Sequence, residues 1–378
     1  SDIAHYLVAS EETEPANGWY YSQWVGALAQ KPTMDGAALG KIICDAYYSG
    51  CEAVGTQDNT TLSLTDLSKV GPLLDAYEVF GAEALSLACD DPAFFSQFAR
   101  TAAQSENYGG NTREQGYTNM VDLGHLARLS SGTLRSAQEV LDALDDCVLY
   151  QVGGPYRADA TGLSCYYSYN GDLDDFTGYA ALGAGTAFKY FYAYELTGEL
   201  DEDGMDYISD MDLDSLPEIQ NLYTMNWDGM PLDLDENGNS VLTLGPEAND
   251  ILAGISFSLY YTDEENDMML KLGTDNDMKG DWENGVFSDN FRGVWGSIDG
   301  HLAYMELSFD SADYNLYAVP VLLNGEPYNL QVAYDFTTQE WSILGARQGI
   351  DDHGMADKEL RLLQPGDELT TIWYMASF

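Results

Sequence analysis

The sequence predicts an α/β domain with a mostly parallel sheet flanked by helices, followed by a β-rich domain of sandwich- or barrel-like architecture. In the first half, short apolar runs alternate with segments of helical period, the pattern of strand–helix–strand units. In the second half, short alternating segments are separated by Asn-Gly and Asp-Gly turns. An acidic, turn-prone stretch lies between them. We therefore expect domains at residues 1–200 and 218–378, joined by an acidic linker at residues 201–217.

The first half is expected to open with a buried strand. Residues 3–10 form a nearly continuous apolar run with β-branched residues, which suits a parallel strand covered on both faces. The helical period then predicts helices at residues 19–30, 33–49, 67–89, 92–104, 117–129 and 133–146, and a last helix that follows a loop at 172–176 and ends near Gly198. Further strands are expected at residues 60–64, 147–152 and 162–167.

The second half is expected to consist of short strands. The predicted strands cover residues 240–244, 255–261, 268–272, 302–309, 317–323, 328–334 and 341–344. Tight-turn dipeptides begin at Asn237, Asn284, Asp299 and Asn324. Such dipeptides favour the turns that join neighbouring antiparallel strands, so hairpins are the expected unit of this half.

The charge of the chain limits its partners. The net charge is −48, from 15 basic and 63 acidic residues. Binding to a nucleic-acid backbone needs clustered Lys and Arg, so nucleic acid is excluded as a partner, and an anionic membrane surface is disfavoured for the same reason. No apolar run approaches the roughly 18 residues of a membrane span. Two interpretations stay open: solubility of an exported protein, and steering of cationic substrates.

The cysteines do not predict a metal site. Cys44, Cys51, Cys89, Cys147 and Cys165 form no CxxC pair and have no neighbouring histidine, which argues against zinc. An odd number of cysteines in a chain of this length does not suggest a disulfide framework. Buried, small apolar side chains are the expected role.

The segment after the first predicted strand is the main candidate site. Its residues are Ser10, Glu11, Glu12, Thr13 and Glu14. Ligands of open α/β sheets bind beyond the carboxyl ends of the strands, and a carboxylate there can take two parallel hydrogen bonds from a guanidinium. The alternative is a solvated acidic loop, since such loops are frequent in this chain.

Four stretches of the first half resemble the clostripain family of cysteine peptidases. They read YLVASEETEPANGWYYSQWVGALAQKP, MDGAALGKIICDAYYSGC, YTNMVDLGHLA and GLSCYYSYNGDLDD. The SEETEP-GW part is the specific one, with Ala16 in place of the usual Gly, and the resemblance spans most of residues 3–200. Two later stretches, DNFRGVWGSIDG and LLNGEPYNLQVAYDF, resemble the β-rich extension of larger members from gut bacteria.

The resemblance implies a function. It implies a caspase-like fold, a cysteine nucleophile with a histidine proton-transfer partner, cleavage after Arg or sometimes Lys, and frequent calcium dependence. It also implies that residues 10–14 line the pocket for the basic substrate side chain, in a secreted or cell-surface bacterial protein. The family's histidine lies in an HGGG-like context and its cysteine in a DACLM-like context, and neither occurs in this sequence. We therefore expect an upstream fragment of the same precursor to carry the catalytic pair, and this chain alone to be inactive.

Local residues are weaker candidates for catalysis. His5 is expected to be a packed or edge residue of the first strand, and His301 and His353 show no partner. His125 lies three residues after Asp122, a spacing that suits a structural ion pair more than a dyad. Cys165 falls in a predicted strand, where burial is the expected state.

One segment is a candidate calcium loop. Asp233, Asp235, Asn237 and Asn239 place oxygen atoms at alternate positions, with Gly238 at the turn, as at the start of an EF-hand loop. The twelfth position is Leu244, where a bidentate Glu belongs, so a polar β-hairpin turn is the alternative. A weaker candidate is the loop with Asp172, Asp174 and Asp175, which helix capping explains equally well.

A different class of function also fits the sequence. A non-catalytic acidic protein could use the same loop to capture cationic peptides or glycans. The β-rich half could act as an adhesion or spacer module. A co-purifying fragment that carries the expected His and Cys contexts would discriminate the peptidase from the binding protein.

Overall fold

The computed structural model describes residues 3–15, 17–112, 116–211, 227, 229–275, 278–349 and 360–376. Within these residues the helices are α1 (Tyr21–Gln30), α2 (Gly36–Val54), α3 (Val70–Asp90), α4 (Ala93–Ala103), α5 (Leu123–Ser130), α6 (Ala137–Cys147), α7 (Leu173–Ala180), α8 (Thr186–Thr197), α9 (Glu202–Asp210) and α10 (Glu247–Ile251). Nine of these ten helices precede residue 211, so the helical half is the first half, as predicted.

Strands occur along the whole chain. Those of the first half are β1 (Tyr6–Ala9), β2 (Thr61–Asp66), β3 (Asn107–Tyr108), β4 (Asn111–Thr112), β5 (Gly116–Tyr117), β6 (Met120–Asp122), β7 (Val148–Gly153) and β8 (Ser164–Tyr166). Those of the second half are β9 (Asp233–Leu234), β10 (Ser240–Thr243), β11 (Phe257–Asp263), β12 (Met268–Asp275), β13 (Lys279–Asp281), β14 (Val286–Asp289), β15 (Ser297–Ile298), β16 (His301–Leu302), β17 (Glu306–Asp310), β18 (Tyr314–Leu323), β19 (Glu326–Asp335), β20 (Glu340–Arg347), β21 (Leu369–Thr371) and β22 (Met375–Ala376).

The first sheet is antiparallel, so the prediction of a mostly parallel sheet is wrong for the described residues. Its order is β1-β2-β7, with β2 in the centre. Both of its pairings are antiparallel, as are all other ladders between the named strands. An apolar run predicts burial but not the direction of pairing. β1 is also less buried than predicted, because as an edge strand of this sheet it leaves Leu7 44% exposed.

An aromatic core holds the helices of the first half together. Phe98 of α4 lies with its ring centroid 5.3 Å from Phe191 and 5.8 Å from Phe188, both on α8. Helix α3 can approach α8 closely because residue 81 is glycine: a Cβ atom there would lie 2.7 Å from Phe188 Cδ2. Burial of each such side chain contributes about 1.5–3 kcal/mol to stability.

The helix predicted at residues 117–129 begins later than expected. Residues before Leu123 instead form the strands β5 and β6, and β6 pairs with β3 and β8. Asn119 has φ of 54°, a left-handed conformation that a helix does not allow. Helix α5 then starts at Leu123 because Asp122 caps it, with Oδ1 accepting a hydrogen bond from His125 N at 2.7 Å.

Part of the predicted acidic linker is a packed helix. Helix α9 is capped by Asp201, and Ile208 on its inner face is only 2% exposed in the aromatic core. The Tyr207 hydroxyl donates to Glu78 Oε1 on α3 at 2.8 Å. Residues 202–210 are thus a helix packed on the first half, and residues 212–217 lie outside the described residues, so the linker stays a prediction.

The second half is built from antiparallel strands, as its turn dipeptides predict. The largest sheet has the order β17-β18-β19-β20, with β21 on β18, and smaller sheets are formed by β13-β14-β10-β9, β11-β12-β22 and β15-β16. Asn324 and Gly325, with φ of 54° and 90°, form the two-residue turn between β18 and β19. Closure of these sheets into a sandwich or a barrel stays a prediction, as does the boundary at residue 218.

The two halves are in contact at several points. Arg100 of α4 donates to the backbone oxygens of Asn249 at 3.2 Å and Leu252 at 2.6 Å. The rings of Tyr156 and Tyr314 meet edge to face at 4.9 Å. Strand β20 lies near the loop that follows β1, since Arg347 Nη1 is 3.4 Å from Thr13 Oγ1. Within the part of the chain that the structure describes, no helix is both long and apolar enough to span a bilayer.

Candidate functional site

The loop of residues 10–14 is anchored to the start of β2. Ser10 Oγ donates to the Thr61 backbone oxygen at 2.7 Å, and the backbone N–H groups of Glu11 and Glu12 both donate to Thr61 Oγ1 at 3.2 Å. All five side chains of the loop are buried or partly buried. The alternative of a solvated acidic loop therefore does not describe this segment.

Glu12 is the most buried carboxylate of the loop, with 6% of the residue exposed. Its Oε2 pairs with the Arg157 guanidinium, and its Oε1 accepts hydrogen bonds from the backbone N–H groups of Thr13 at 2.6 Å and Gly109 at 3.2 Å. Arg347 Nη1 lies 3.6 Å from the same Oε1. Burial acts to raise the pKa of Glu12, but the charges of Arg157 and Arg347 offset it, so the pKa lies below its ordinary value.

Arg157 joins Glu12 to a second buried carboxylate. Its Nη1 lies 2.5 Å from Glu106 Oε1 and donates to the Asn107 backbone oxygen at 3.2 Å. Burial raises the pKa of Glu106 to about 7, although Arg157 acts in the opposite direction. The second carboxylate oxygen of Glu106 is buried and has no hydrogen-bond partner in the described structure.

Glu11 differs from Glu12 in that none of the described ion pairs joins it to a guanidinium. Its Oε1 is buried and has no hydrogen-bond partner among the described residues. Burial raises the pKa of Glu11 well above its ordinary value, and the charges of Asp122 and Glu106 raise it further. We call the four neighbouring carboxylates the buried carboxylate cluster; they are Glu11, Glu12, Glu106 and Asp122. Two guanidinium groups, of Arg157 and Arg347, lie against it.

Asp122 is fully used in hydrogen bonds. Its Oδ2 accepts from the Tyr108 hydroxyl at 2.9 Å and from Thr161 N at 2.7 Å, while Oδ1 accepts from Thr161 Oγ1 at 2.6 Å and from His125 N. These hydrogen bonds fix the position of the Asp122 side chain beside Glu11.

His125 is a structural residue in this arrangement. The sequence predicted a contact between its side chain and Asp122, but the structure places the backbone N–H of His125 on Asp122 instead. The imidazole Nδ1 accepts from the Glu106 N–H at 3.0 Å, and Nε2 lies 4.0 Å from Asp159 Oδ1. Burial lowers the pKa of His125, which favours the neutral ring that accepts this bond. His125 therefore has a structural role rather than a catalytic one.

The other catalytic candidates are not poised for chemistry. Burial raises the pKa of the Cys165 and Cys44 thiols to about 12, so both are held as thiols rather than nucleophilic thiolates. His5 is exposed and lies just before β1 rather than within it, and His301 is exposed in β16. His353 lies outside the described residues.

Glu14 organises the chain that follows the loop. Its Oε2 accepts a hydrogen bond from Trp19 Nε1 at 2.5 Å. Trp19 packs against a small core formed mainly by α2 and β2. Glu14 thus links the rim of the loop to the entry of α1.

The candidate calcium loop is closed by its own hydrogen bonds. Asp235 Oδ1 accepts from the N–H groups of Asn237 and Asn239, both at 2.8 Å, and Asp233 lies in strand β9. Arg292 Nη2 donates to Asn239 Oδ1 at 2.7 Å and to the Asn237 backbone oxygen at 3.3 Å. A guanidinium thus holds oxygens that calcium would need, and the residues do not fit a calcium ion as arranged. Among the described residues, no group of three or more His, Cys, Asp or Glu could hold a metal ion.

The acidic loop with Asp172, Asp174 and Asp175 caps a helix, which is the alternative that its sequence allowed. Asp172 Oδ1 accepts from the N–H groups of Asp174 at 2.8 Å and Asp175 at 3.1 Å, at the start of α7. Asp175 Oδ2 accepts from Asn119 Nδ2 and Asn170 Nδ2. These contacts are structural, so this loop needs no metal.

The partners of Glu12 were missed at the sequence level. Glu12 and Arg157 are 145 positions apart, and Thr13 and Arg347 are 334 apart. A signal did exist: with 15 basic residues against 63 acidic ones, an arginine within or beside an apolar segment is a candidate partner for a buried carboxylate. Arg347, which follows Ile343–Ala346, meets that description, whereas Arg157, within GGPYRADATG, does not.

Comparison with known proteins bears on the first half of the chain. A family model described as the clostripain family, Peptidase_C11, matches residues 1–169. The predicted resemblance is therefore confirmed over these residues. No curated protein matches the chain.

Two solved structures are similar to parts of the chain. One is described as an inactive zymogen C11 protease from Parabacteroides distasonis, with 16% identity and a TM-score of 0.36 over 48% of this chain and 50% of that chain. The other is described as a B. fragilis cysteine protease, with 17% identity and a TM-score of 0.32 over 51% of this chain and 77% of that chain. The match thus spans half the length of the first of these proteins.

Proposed function

Because residues 1–169 match the clostripain family, we propose that the chain is part of a cysteine endopeptidase that cleaves after Arg or Lys. In this proposal the chain supplies one wall of the specificity pocket, formed by Ser10, Glu11, Glu12, Thr13 and Glu14. The observation that supports it is the excess of carboxylates over guanidinium groups in the buried carboxylate cluster.

The excess charge gives the pocket its affinity for a basic side chain. Burial of a charged carboxylate without a neighbouring cation costs free energy. Burial therefore raises the pKa values of Glu11 and Glu106, and both side chains keep their protons to higher pH. A guanidinium or ammonium that enters beside Glu11 compensates the charge and satisfies its buried Oε1. A planar guanidinium can donate two hydrogen bonds to one carboxylate, which favours Arg over Lys.

The loop residues have separate roles in this proposal. Glu11 is the acceptor for the substrate cation, while Glu12 is held by Arg157 and shapes the floor. Ser10 anchors the loop to β2, and Glu14 fixes its far end through Trp19. Thr13 lies at the boundary with the second half of the chain.

The chemistry itself belongs to residues outside this chain. A thiolate would attack the peptide carbonyl, and a histidine would protonate the departing amine, leaving a thioester that water hydrolyses. We propose that an upstream fragment of the same precursor supplies both groups, in a secreted or cell-surface bacterial protein. Peptide turnover by the pure chain that thiol blockers leave unchanged would contradict this division of roles.

A second candidate function uses the same cluster without catalysis. Burial raises the pKa of the Cys44 and Cys165 thiols, so neither is an activated nucleophile, and a binding function needs none. A binding protein for cationic peptides or glycans would show the same preference for basic ligands. Peptide cleavage after Arg in a mixture of the chain with its upstream fragment decides for the peptidase.

The specificity pocket is tested by calorimetric titration of the chain with N-acetyl-arginine methylamide. The neutral citrulline analogue, which keeps the shape and removes the charge, is the matched control ligand. We expect the arginine ligand to bind and the citrulline ligand to bind at least about tenfold more weakly, as expected for loss of a charge-assisted bidentate pair.

Two variants locate this binding on the loop. Glu11→Gln keeps the shape of the side chain and should weaken the arginine ligand about tenfold or more, since hydrogen bonds to charged groups contribute about 1.5–3 kcal/mol. Glu139→Gln, an exposed position on α6, should leave binding unchanged. Equal binding of both ligands, or no effect of Glu11→Gln, would contradict the proposed pocket.

A further inference from the structure

A cavity of about 600 Å³ lies between β1, α3, α7 and the strands β6 and β8. Its volume falls in the range of about 300–1,000 Å³ that small-molecule sites occupy. Three of the leucines that line it are exposed: Leu7 by 44%, Leu74 by 41% and Leu182 by 60%. The cavity is therefore open to solvent. None of residues 10–14 lines it, so it is separate from the candidate pocket wall.

The inner wall of the cavity is apolar and formed by packed residues. Leu73 and Leu123 line it and belong to the aromatic core, where they are 4% and 5% exposed. The rings of Tyr166 and Tyr179 also line it and stack on each other with centroids 4.2 Å apart. A ligand with an apolar body gains free energy by leaving water for such a wall.

The charge at the cavity has one sign. Among the described residues that line it, Asp175 is the one charged side chain. Asp175 Oδ2 accepts from Asn119 Nδ2 at 3.2 Å and from Asn170 Nδ2 at 2.9 Å, so a ligand can pair with Oδ1. The neighbouring cation, Lys189, donates to the backbone oxygen of Leu182 and does not line the cavity.

Asp175 lies beside the aromatic part of the wall. Burial raises the pKa of Tyr166, and the charge of Asp175 raises it further. An ammonium group at this place can contact both a carboxylate and the face of an aromatic ring. Two more exposed carboxylates, of Asp172 and Asp174, lie at the start of the same helix. Three carboxylates exceed the roughly half positive charge of a helix N-terminus, so a cation is favoured here.

We propose that this cavity binds an amphipathic cation, a ligand with an apolar body and one ammonium group. The body occupies the space between the leucines and the stacked tyrosines, and the ammonium group pairs with Asp175. An anionic ligand finds no compensating cation among the described residues of the wall. The inference goes beyond the proposed function and does not depend on it, because residues 10–14 take no part in this site.

The test compares two ligands of the same shape. Phenylbutylammonium carries the charge, and phenylbutanol replaces the ammonium group by a neutral hydroxyl. Equilibrium dialysis against the full chain measures both affinities. We expect saturable binding of both, with phenylbutylammonium about threefold to fivefold tighter, the ordinary size of the effect of an exposed ion pair.

Two pairs of variants locate the binding. Asp175→Asn should remove the advantage of the ammonium ligand, whereas Asp174→Asn, which takes the same charge from a residue of the same turn that does not line the cavity, should change it less than about twofold. Leu74→Ala should weaken both ligands about threefold, from the apolar contact that it removes. Leu129→Ala, an equally exposed leucine outside the cavity, should change neither affinity.

The folded state of each variant is checked by thermal unfolding. If Asp175→Asn does not fold, the comparison of the two ligands and the leucine pair still decide the proposal. N-acetyl-arginine methylamide is added as a competitor, because an amine bound at residues 10–14 would be displaced by it. We expect no displacement.

The outcomes are distinct. A preference for the ammonium ligand that Asp175→Asn removes, together with weaker binding of both ligands to Leu74→Ala, supports the proposal. Absence of saturable binding overturns it, and so does equal affinity for the two ligands. Equal losses in Asp174→Asn and Asp175→Asn overturn it as well, because they show a general effect of the negative field. Displacement by N-acetyl-arginine methylamide also overturns it. Failure of this proposal leaves the proposed function untouched.

Discussion

Arg157 is the residue on which the packing of the candidate site depends. It compensates Glu12 and Glu106, both of which are buried, so its removal leaves Glu106 without its cation and Glu12 with Arg347 alone. We expect Arg157→Met to lower the free energy of unfolding by about 3–5 kcal/mol. Arg128→Met, at an exposed pair with Asp159, should cost less than about 1 kcal/mol. Urea denaturation measures both, and similar costs for the two variants would contradict the assigned role of Arg157.

Glu106 gives the stability of the fold a pH dependence of defined sign. Burial raises its pKa from the ordinary 4.5 to about 7, so the folded state keeps a proton that the unfolded chain releases. This contribution to stability is complete below pH 4.5 and is lost as the pH rises through about 7. Its magnitude is at most roughly 3 kcal/mol, from the free energy of each pKa unit.

The variant Glu106→Gln tests this assignment. A glutamine does not titrate, so the variant should lose less stability than the unmodified chain between pH 5 and pH 8, whatever its absolute stability. Urea midpoints across this range provide the measurement. A Glu106→Gln chain with an unchanged slope would show that another group carries the pH dependence. Glu11, whose pKa is also raised, is the first alternative.

At the scale of elements, the contact between α3 and α8 depends on the absence of a side chain at position 81. An added Cβ would lie 2.7 Å from Phe188 Cδ2 and 3.0 Å from its backbone nitrogen, which does not yield easily. We expect Gly81→Ala to destabilise the fold by about 1–3 kcal/mol. Gly71→Ala, on the same helix with open space around it, should be neutral or stabilise by up to about 1 kcal/mol. Thermal unfolding compares them, and equal effects would contradict the packing described here.

The turn at residues 235–239 should be stable without a metal ion. Its oxygen atoms accept hydrogen bonds from the turn itself and from Arg292. We expect millimolar calcium or a chelator to leave the unfolding temperature unchanged, and calorimetry to show no saturable calcium binding. Saturable binding that Asp235→Ala abolishes would restore the calcium loop predicted from the sequence.

Helices with regularly spaced apolar residues over many positions could be predicted from the sequence. Elements that depend on partners far away in the sequence could not. The helices at α2, α3 and α4 follow their apolar period within a few residues. The strands β5 and β6 on either side of Asn119 were missed because the Asn119 side chain is held by Asn170 and Asp175, about 50 positions away. Helix α9 was missed because its many acidic residues obscure the few that face the core, Gly204, Tyr207 and Ile208. The direction of β1 and β2 depends on pairing, which periodicity does not report.

At the scale of the whole molecule, the chain has a large negative charge and few basic residues, and two of its arginines lie at one loop. Of 15 basic residues, Arg157 and Arg347 both lie at the loop after β1. The loop itself was predicted from its composition and its place after a strand, and its burial follows from these arginines. The net charge of −48 favours approach of basic peptides, and in the proposed function the buried carboxylate cluster would select among them. Added salt should therefore slow the association of basic peptides more than it changes the preference among them.

In the proposed function, the buried carboxylate cluster holds protons that a basic side chain displaces. Calorimetric titration of N-acetyl-arginine methylamide, repeated in buffers of different ionisation enthalpy, counts the protons released on binding. At about pH 6.5, near the raised pKa of Glu106, we expect net proton release and an affinity that increases toward pH 8. Binding without proton release and with the same affinity at pH 5.5 and pH 8 would contradict the claim.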